Sequence, residues 1–208
     1  MKRNTKIGPS PGPASSGSAA AITEPPSVEE SVTLANLQTA YNGEMNAHVR
    51  YVAFAKEADQ EGYAPVASLF RAAARAEEIH ARNHEEVILG LGASPKANIE
   101  AVVPKSTHEN LEAAITGEVY ERDEMYPSFL RQARSERNQP AARTFHLAQK
   151  AETEHAALFT LALKDLERLR GEAVTYYVCP VCGFTSAKAD GPRCPVCSNP
   201  TDRFEKVR

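Results

Sequence analysis

Residues 66–87 read VASLFRAAARAEEIHARNHEEV. Val66, Phe70, Ala73, Glu77, His80, His84 and Val87 recur at steps of three and four, so they share one stripe of an α-helix. A glutamate and a histidine three residues apart therefore sit in the middle of an apolar stripe, where an uncompensated charge costs several kcal/mol and demands a partner. Working outward, Gly62 ends the element before this one and Pro65 suits the first turn, while Gly90 and Gly92 stop it.

Three further stripes follow the same rule. Leu34, Leu37, Tyr41, Glu44, His48, Tyr51 and Ala55 form the first helix, with Thr33 as its expected N-cap. After a connection of about 15 residues, long enough for a crossover, Ser106 and Glu109 make a capping box. The third helix that it opens carries Leu111, Ala114, Glu118, Glu121 and Met125, and Pro127 is expected to kink it rather than end it, because Phe129 and Leu130 continue the pattern. Pro140 opens the fourth, striped by Phe145, Ala148, Glu152, His155, Phe159, Ala162, Leu166 and Leu169. The reading is mainly α, a four-helix bundle over residues 33–170.

The remainder of the 208 residues bounds the function. A hydrophobic fraction of 42% with a mean hydropathy of −0.43 describes a chain that buries a core and dissolves in water. The charge of −3, from 24 basic and 27 acidic residues with no basic stripe, argues against nucleic acid as a partner. Apolar runs such as Val52 to Ala55 are far short of the ~20 residues a membrane span needs. Residues 1–32 read as a disordered tail, since Pro, Gly, Ser and Ala supply 17 of the first 27. Lys2, Arg3 and Lys6 followed by Ala19 to Ala21 suggest a leader, but the apolar run of roughly 7–15 residues that a secretory signal requires is missing.

Each bundle stripe carries ionisable residues near its middle: Glu44; Glu77 and His80; Glu118 and Glu121; Glu152 and His155. Residues at i and i+3 share a face, so each Glu-x-x-His offers an oxygen and an imidazole to one centre. No Lys or Arg shares the stripes, so five carboxylates call for cations. Glu44 and Glu118 are 74 residues apart, Glu77 and Glu152 are 75, and His80 and His155 are 75, which reads as an internal repeat. One Glu from each of two helices and Glu-x-x-His from the other two is the donor pattern of di-iron and di-manganese carboxylate bundles. A single Glu-x-x-His is more often a solvated pair; two at matched offsets on apolar stripes favour metal. His84 and Glu124 read as rim or surface residues, and His48, His108 and His146 are given no role.

Residues 171–208 are too short and too poor in apolar residues to fold by burial alone. They hold all four cysteines, as Cys179-Pro-Val-Cys182 and Cys194-Pro-Val-Cys197 with eleven residues between the pairs. This is the spacing of a tetrahedral four-thiolate site. Zinc would make it a structural ribbon and iron a one-electron carrier; a disulfide pairing is the weaker third option. A redox metal pair in the bundle needs an electron supply, and that context favours iron.

These residues together resemble rubrerythrin. The matching stretches are Asn42-Gly43-Glu44 to Arg50-Tyr51, Glu77-Glu78-Ile79-His80, Gly117-Glu118-Val119-Tyr120-Glu121 to Met125-Tyr126-Pro127, Glu152-Thr153-Glu154-His155, and the tail from Tyr177 to Phe204. The resemblance implies a ferritin-like bundle binding two iron ions, joined to a small rubredoxin-like β/loop domain with a third iron on Cys179, Cys182, Cys194 and Cys197. It implies reduction of hydrogen peroxide to water in the cytoplasm, with electrons from NAD(P)H through a separate reductase or a rubredoxin. In the family the carrier serves a partner subunit's bundle, which implies a homodimer or larger.

Carried over, Glu77 and Glu152 are expected to bridge the irons. Glu44 serves one iron, and Glu118 and His155 serve the other. Glu121 and His80 are alternative ligands of the first, the carboxylate suiting ferric and the imidazole ferrous iron. Tyr51 and Tyr126 match tyrosines that hydrogen-bond the site carboxylates. Two rivals stand beside the peroxidase: a ferroxidase handling stored iron, against which the extra carboxylate Glu121 and the fused four-cysteine unit argue, and a metal-stabilised sensor with a zinc ribbon.

Overall fold

The computed structural model describes residues 1, 8 and 31–208. The expected disordered tail falls almost wholly outside the described residues. Helix α1 spans Val32–Gln60, α2 Ala64–Gly90, α3 Thr107–Tyr120, α4 Tyr126–Ser135 and α5 Gln139–Lys164. The third expected helix is continuous through α3, one π turn at Glu121–Met125, and α4. Among the described residues no helix is long and apolar enough to cross a membrane.

The ends follow local chemistry. Ser31, not Thr33, caps α1: its hydroxyl accepts from the Leu34 N–H at 3.2 Å, while Thr33 is already buried in the first turn. The Glu136 carboxylate accepts from the Thr33 N–H and the Ser31 hydroxyl, placing negative charge at a helix N-terminus. The Ser106–Glu109 capping box is formed, and Pro140 lies in the first turn of α5 behind the Asn138 cap. Pro127 neither ends nor breaks its helix. Because its nitrogen cannot donate, the turn ahead of it widens and the Tyr126 N–H reaches back to the Glu121 carbonyl.

Two apolar clusters pack the bundle. In one, Tyr51, Phe54, Phe70 and Phe159 stack with ring centroids 5.2–6.2 Å apart. In the other, Leu37, Ile88, Tyr126, Leu130 and Phe145 pack together. The stripe carboxylates lie on the helix turns between them.

The C-terminal strands β1 (Tyr176–Val178), β2 (Thr185–Ser186) and β3 (Glu205–Val207) form an antiparallel sheet of order β2-β1-β3, with Val178 opposite Thr185 and Glu205. The sheet seats on the bundle of its own chain: Val178 packs on Ala72, Ala76 and Ile79 of α2. An apolar face of α2 beside the metal-facing stripe supplies this seat within the chain.

Candidate metal centres

Glu44, Glu77, Glu118, Glu152, His80 and His155 are all at most 1% exposed. Their donor atoms form two sets, each with its atoms within 4.8 Å of one another: Glu44, Glu77, His80 and Glu152, and Glu77, Glu118, Glu152 and His155. Glu77 and Glu152 belong to both, so each set draws on both halves of the repeat. His80 Nδ1 lies 2.9 Å from Glu77 Oε2 and 3.0 Å from Glu152 Oε1. His155 Nδ1 lies 2.8 Å from Glu152 Oε2 and 3.4 Å from Glu118 Oε2. Glu121 is buried in the π turn but belongs to neither set.

Burial and mutual repulsion work against charge on these carboxylates in the absence of cations. Burial, then the charge of Glu121, holds the Glu44 carboxyl well above the carboxylate range, and burial followed by Glu152 does the same to Glu121. Burial opposes charge on His80 and His155, yet Glu152 beside the one and Glu118 beside the other raise both well above the imidazole range. Glu77 ends lowered: burial and Glu152 push it up, but the His155 and His80 imidazoles beside it outweigh them. Glu44 Oε2, Glu77 Oε1, Glu118 Oε2, both Glu152 oxygens and His155 Nδ1 lack hydrogen-bond partners although fully buried. Orphaned donors on two converging sets fit two metal ions.

The surroundings orient these donors. The Tyr51 hydroxyl donates to Glu118 Oε1 at 2.6 Å and the Tyr126 hydroxyl to Glu44 Oε1. Burial, reinforced by those carboxylates, keeps both phenols protonated. His80 Nε2 donates to the Cys182 carbonyl at 3.0 Å, and His155 Nε2 faces the Gly183 carbonyl at 3.3 Å and Thr185 Oγ1 at 3.2 Å. An imidazole that donates from Nε2 offers the Nδ1 lone pair to a metal.

The four cysteine sulfurs also lie within 4.8 Å of one another, with Cys179 and Cys197 3.5 Å apart and Cys182 and Cys194 3.6 Å apart. A tetrahedron with metal–sulfur bonds of ~2.3 Å has edges of ~3.8 Å, so the cluster fits one ion. The Cys179 thiol is lowered to about 5, chiefly by its hydrogen bond with Cys182 and helped by the Val181 and Cys182 N–H groups, whereas burial pushes Cys197 up to about 11. The knuckle Cys179–Gly183 is pinned over His80 from α2: Arg82 donates to the Pro180 carbonyl at 2.7 Å and Asn83 to that of Val181 at 2.9 Å. Arg75 clamps both oxygens of Glu205, at 2.6 and 3.0 Å.

Sequence reasoning missed Arg75, Arg82 and Asn83; the signal available was the second apolar row Ala72, Ala76 and Ile79 on α2. It also misplaced His84. That side chain is not at the rim but fully buried, because it stands one turn beyond His80 on the same stripe and packs between Tyr126 and Phe145. Burial, with His80 nearby, holds it neutral, its pKa down at about 3. Glu124 is exposed as expected. His48 Nδ1 donates to the Ala74 carbonyl at 2.7 Å and braces α1 on α2.

The family model described as Rubrerythrin matches residues 35–163. "Rubrerythrin-2" of Clostridium acetobutylicum is 38% identical over 182 residues, covering 86% of this chain and 98% of that one. "Nigerythrin" of Nitratidesulfovibrio vulgaris is 36% identical, covering 83% and 85%. The solved structure of the fully reduced, all-ferrous state of nigerythrin superposes with a TM-score of 0.79 at 36% identity over 84% of this chain and 86% of that one. A Desulfovibrio desulfuricans bacterioferritin, at TM-score 0.61 and 23% identity over 66% of this chain and 81% of that one, shares the bundle fold.

Proposed function

The chain belongs to the rubrerythrin family of ferritin-like di-iron proteins, and we propose from that premise that it is a peroxidase reducing hydrogen peroxide to water. Its residues 33–170 are the di-iron bundle and 171–208 the rubredoxin-like electron inlet, in a protein acting in the cytoplasm. The observation that carries this reading is the contact of His80 with both centres, Nδ1 toward Glu77 and Nε2 on the Cys182 carbonyl.

Glu44, Glu77, His80, Glu118, Glu152 and His155 would hold two irons and Cys179, Cys182, Cys194 and Cys197 a third; bound there, the pair would supply two-electron reduction chemistry and the thiolate iron one-electron transfer. Glu77 and Glu152, present in both donor sets, are the carboxylates that both ions would share. Glu121, a turn from Glu118 and outside both sets, would be a reserve carboxylate better suited than an imidazole to a harder ion. Tyr51 and Tyr126 hold Glu118 and Glu44 in place by their hydroxyl protons. NAD(P)H reaches the chain through a separate reductase or a rubredoxin, and the protein assembles at least as a homodimer.

The test is stopped-flow mixing of anaerobically reduced, iron-loaded protein with hydrogen peroxide and, separately, with oxygen. Rapid oxidation of the di-iron site by peroxide, with three irons per chain, is expected. No oxidation by peroxide, or iron accumulating far beyond that stoichiometry, would replace this reading with the ferroxidase one.

A further inference from the structure

A line of hydrogen bonds leaves the carboxylate site from Glu44 and runs to a surface cavity that Val181 of the cysteine knuckle also borders. The Tyr126 hydroxyl meets Glu44 Oε1, His84 Nε2 lies 3.0 Å from the Tyr126 oxygen, and Thr144 Oγ1 lies 3.0 Å from His84 Nδ1. Tyr126 and His84 are fully buried. Thr144 is 5% exposed and lines a surface cavity of about 300 Å³ together with Asn83, Glu86 and Arg143. The line thus connects the metal-facing carboxylate to water.

The line also has a direction. A metal-bound Glu44 accepts and cannot donate, so the Tyr126 proton points at it. The Tyr126 oxygen then accepts from His84 Nε2–H. A neutral imidazole with Nε2 protonated has a lone pair on Nδ1, so the Thr144 hydroxyl donates there. Every O–H and N–H in the line points inward.

We propose that Thr144, His84 and Tyr126 form the proton inlet of the carboxylate site, with His84 and Thr144 as positioning residues that act through Tyr126. This rests on the peroxide-reducing reading: hydrogen peroxide plus two electrons and two protons gives two waters, and electrons that enter past Cys182 bring no protons. Each inward transfer moves the Tyr126 proton to the Glu44 side, the His84 Nε2 proton to the Tyr126 oxygen and the Thr144 proton to His84 Nδ1. Water in the cavity returns a proton to Thr144 Oγ1; each pass leaves His84 protonated on Nδ1, and rotation of the ring about its side-chain bonds turns that N–H toward Tyr126 before the next pass. Protons enter from the α2–α5 cavity through Thr144, and electrons from the cysteine knuckle, whose Val181 borders the same cavity.

Thr144→Val removes only the hydroxyl and keeps the shape; Thr144→Ser restores it. In zinc-loaded, diamagnetic protein, nitrogen-15 NMR is expected to find His84 as the Nε2–H tautomer, and its proton to exchange with solvent at least about tenfold more slowly in Thr144→Val than in the native or Thr144→Ser protein. In iron-loaded protein, oxidation by peroxide is expected to slow about tenfold or more in Thr144→Val, with a larger solvent deuterium isotope effect and unchanged metal content, and Thr144→Ser to restore it. An Nδ1–H tautomer, or exchange and isotope effects unchanged in Thr144→Val, would overturn the inlet. A native protein that fails to consume peroxide while the zinc-form exchange still depends on Thr144 would remove the peroxidase reading and leave the proton path standing.

Discussion

His80 and Cys182 join the two metal centres through one hydrogen bond: the imidazole Nε2 donates to the Cys182 carbonyl at 3.0 Å, while Nδ1 of the same ring faces the carboxylates. They are 102 residues apart in the chain, and the contact exists because β1 seats Val178 on α2 while Arg82 and Asn83 hold the carbonyls of Pro180 and Val181.

The next residue sets how close this approach can be. Gly183 has φ +74°, and a Cβ on it would stand 2.3 Å from His80 Nε2. Gly183→Ala is therefore expected to lift the knuckle off His80 and to lower stability by about 1–3 kcal/mol through the left-handed backbone. Thermal unfolding measures the second effect. Slower re-reduction of the oxidised di-iron site by the four-cysteine iron measures the first, and an unchanged rate would show that this contact does not carry the electrons.

Arg75 and Glu205 tie the sheet to α2 with a two-pronged pair whose side chains are 27% and 37% exposed. Half-exposed pairs are screened, so their coupling in a double-mutant cycle of Arg75→Ala and Glu205→Gln is expected to be about 1 kcal/mol or less. The larger consequence is local. Arg75→Ala should speed proteolysis near residues 165–175 and do so more at low salt than at high salt, where the native pair is already weakened.

Tyr51→Phe keeps the ring that packs on Phe54, Phe70 and Phe159 and removes only the hydroxyl on Glu118. Metal affinity at the second donor set is expected to fall by about ten- to a hundredfold. Competitive titration of metal-free protein against a chelator checks this; an affinity within twofold of native would confine Tyr51 to packing.

Acid should destabilise the fold partly through His84. Its pKa of about 3 in the folded chain lies below the ordinary 6.5, so between those values the unfolded chain binds a proton that the folded chain refuses. The stabilisation is complete above pH 6.5 and is lost as pH falls, by up to about 1.4 kcal/mol per pH unit. His84→Gln cannot titrate, so its unfolding temperature should fall less steeply with acid than that of the native protein; parallel decline of the two would remove His84 from the account.

Removing the metals should unsettle both centres together. Chelation leaves orphaned Glu118, Glu152 and His155 atoms buried and frees four thiols that carry the C-terminal sheet. Calorimetry of the metal-free protein should show a lower transition temperature, and loss of the sheet's hydrogen-exchange protection should precede loss of the bundle's.

The sequence alone determined the helices, their order and nearly the whole donor inventory. The cause is local: a 3.6-residue period writes burial directly into the spacing, and a charge at an apolar position announces a partner. The same locality explains how the Ser106 capping box and the helix starts at Pro65 and Pro140 could be read in advance. Tertiary structure decided the rest. The π turn at Glu121–Met125 arises from a missing donor at Pro127 acting on the turn before it. The burial of His84 and its path to Thr144 depend on α5 closing over α2. The seat of the cysteine knuckle on His80 depends on contacts about a hundred residues apart, and a periodicity that records which face of a helix is buried does not record which distant segment covers it.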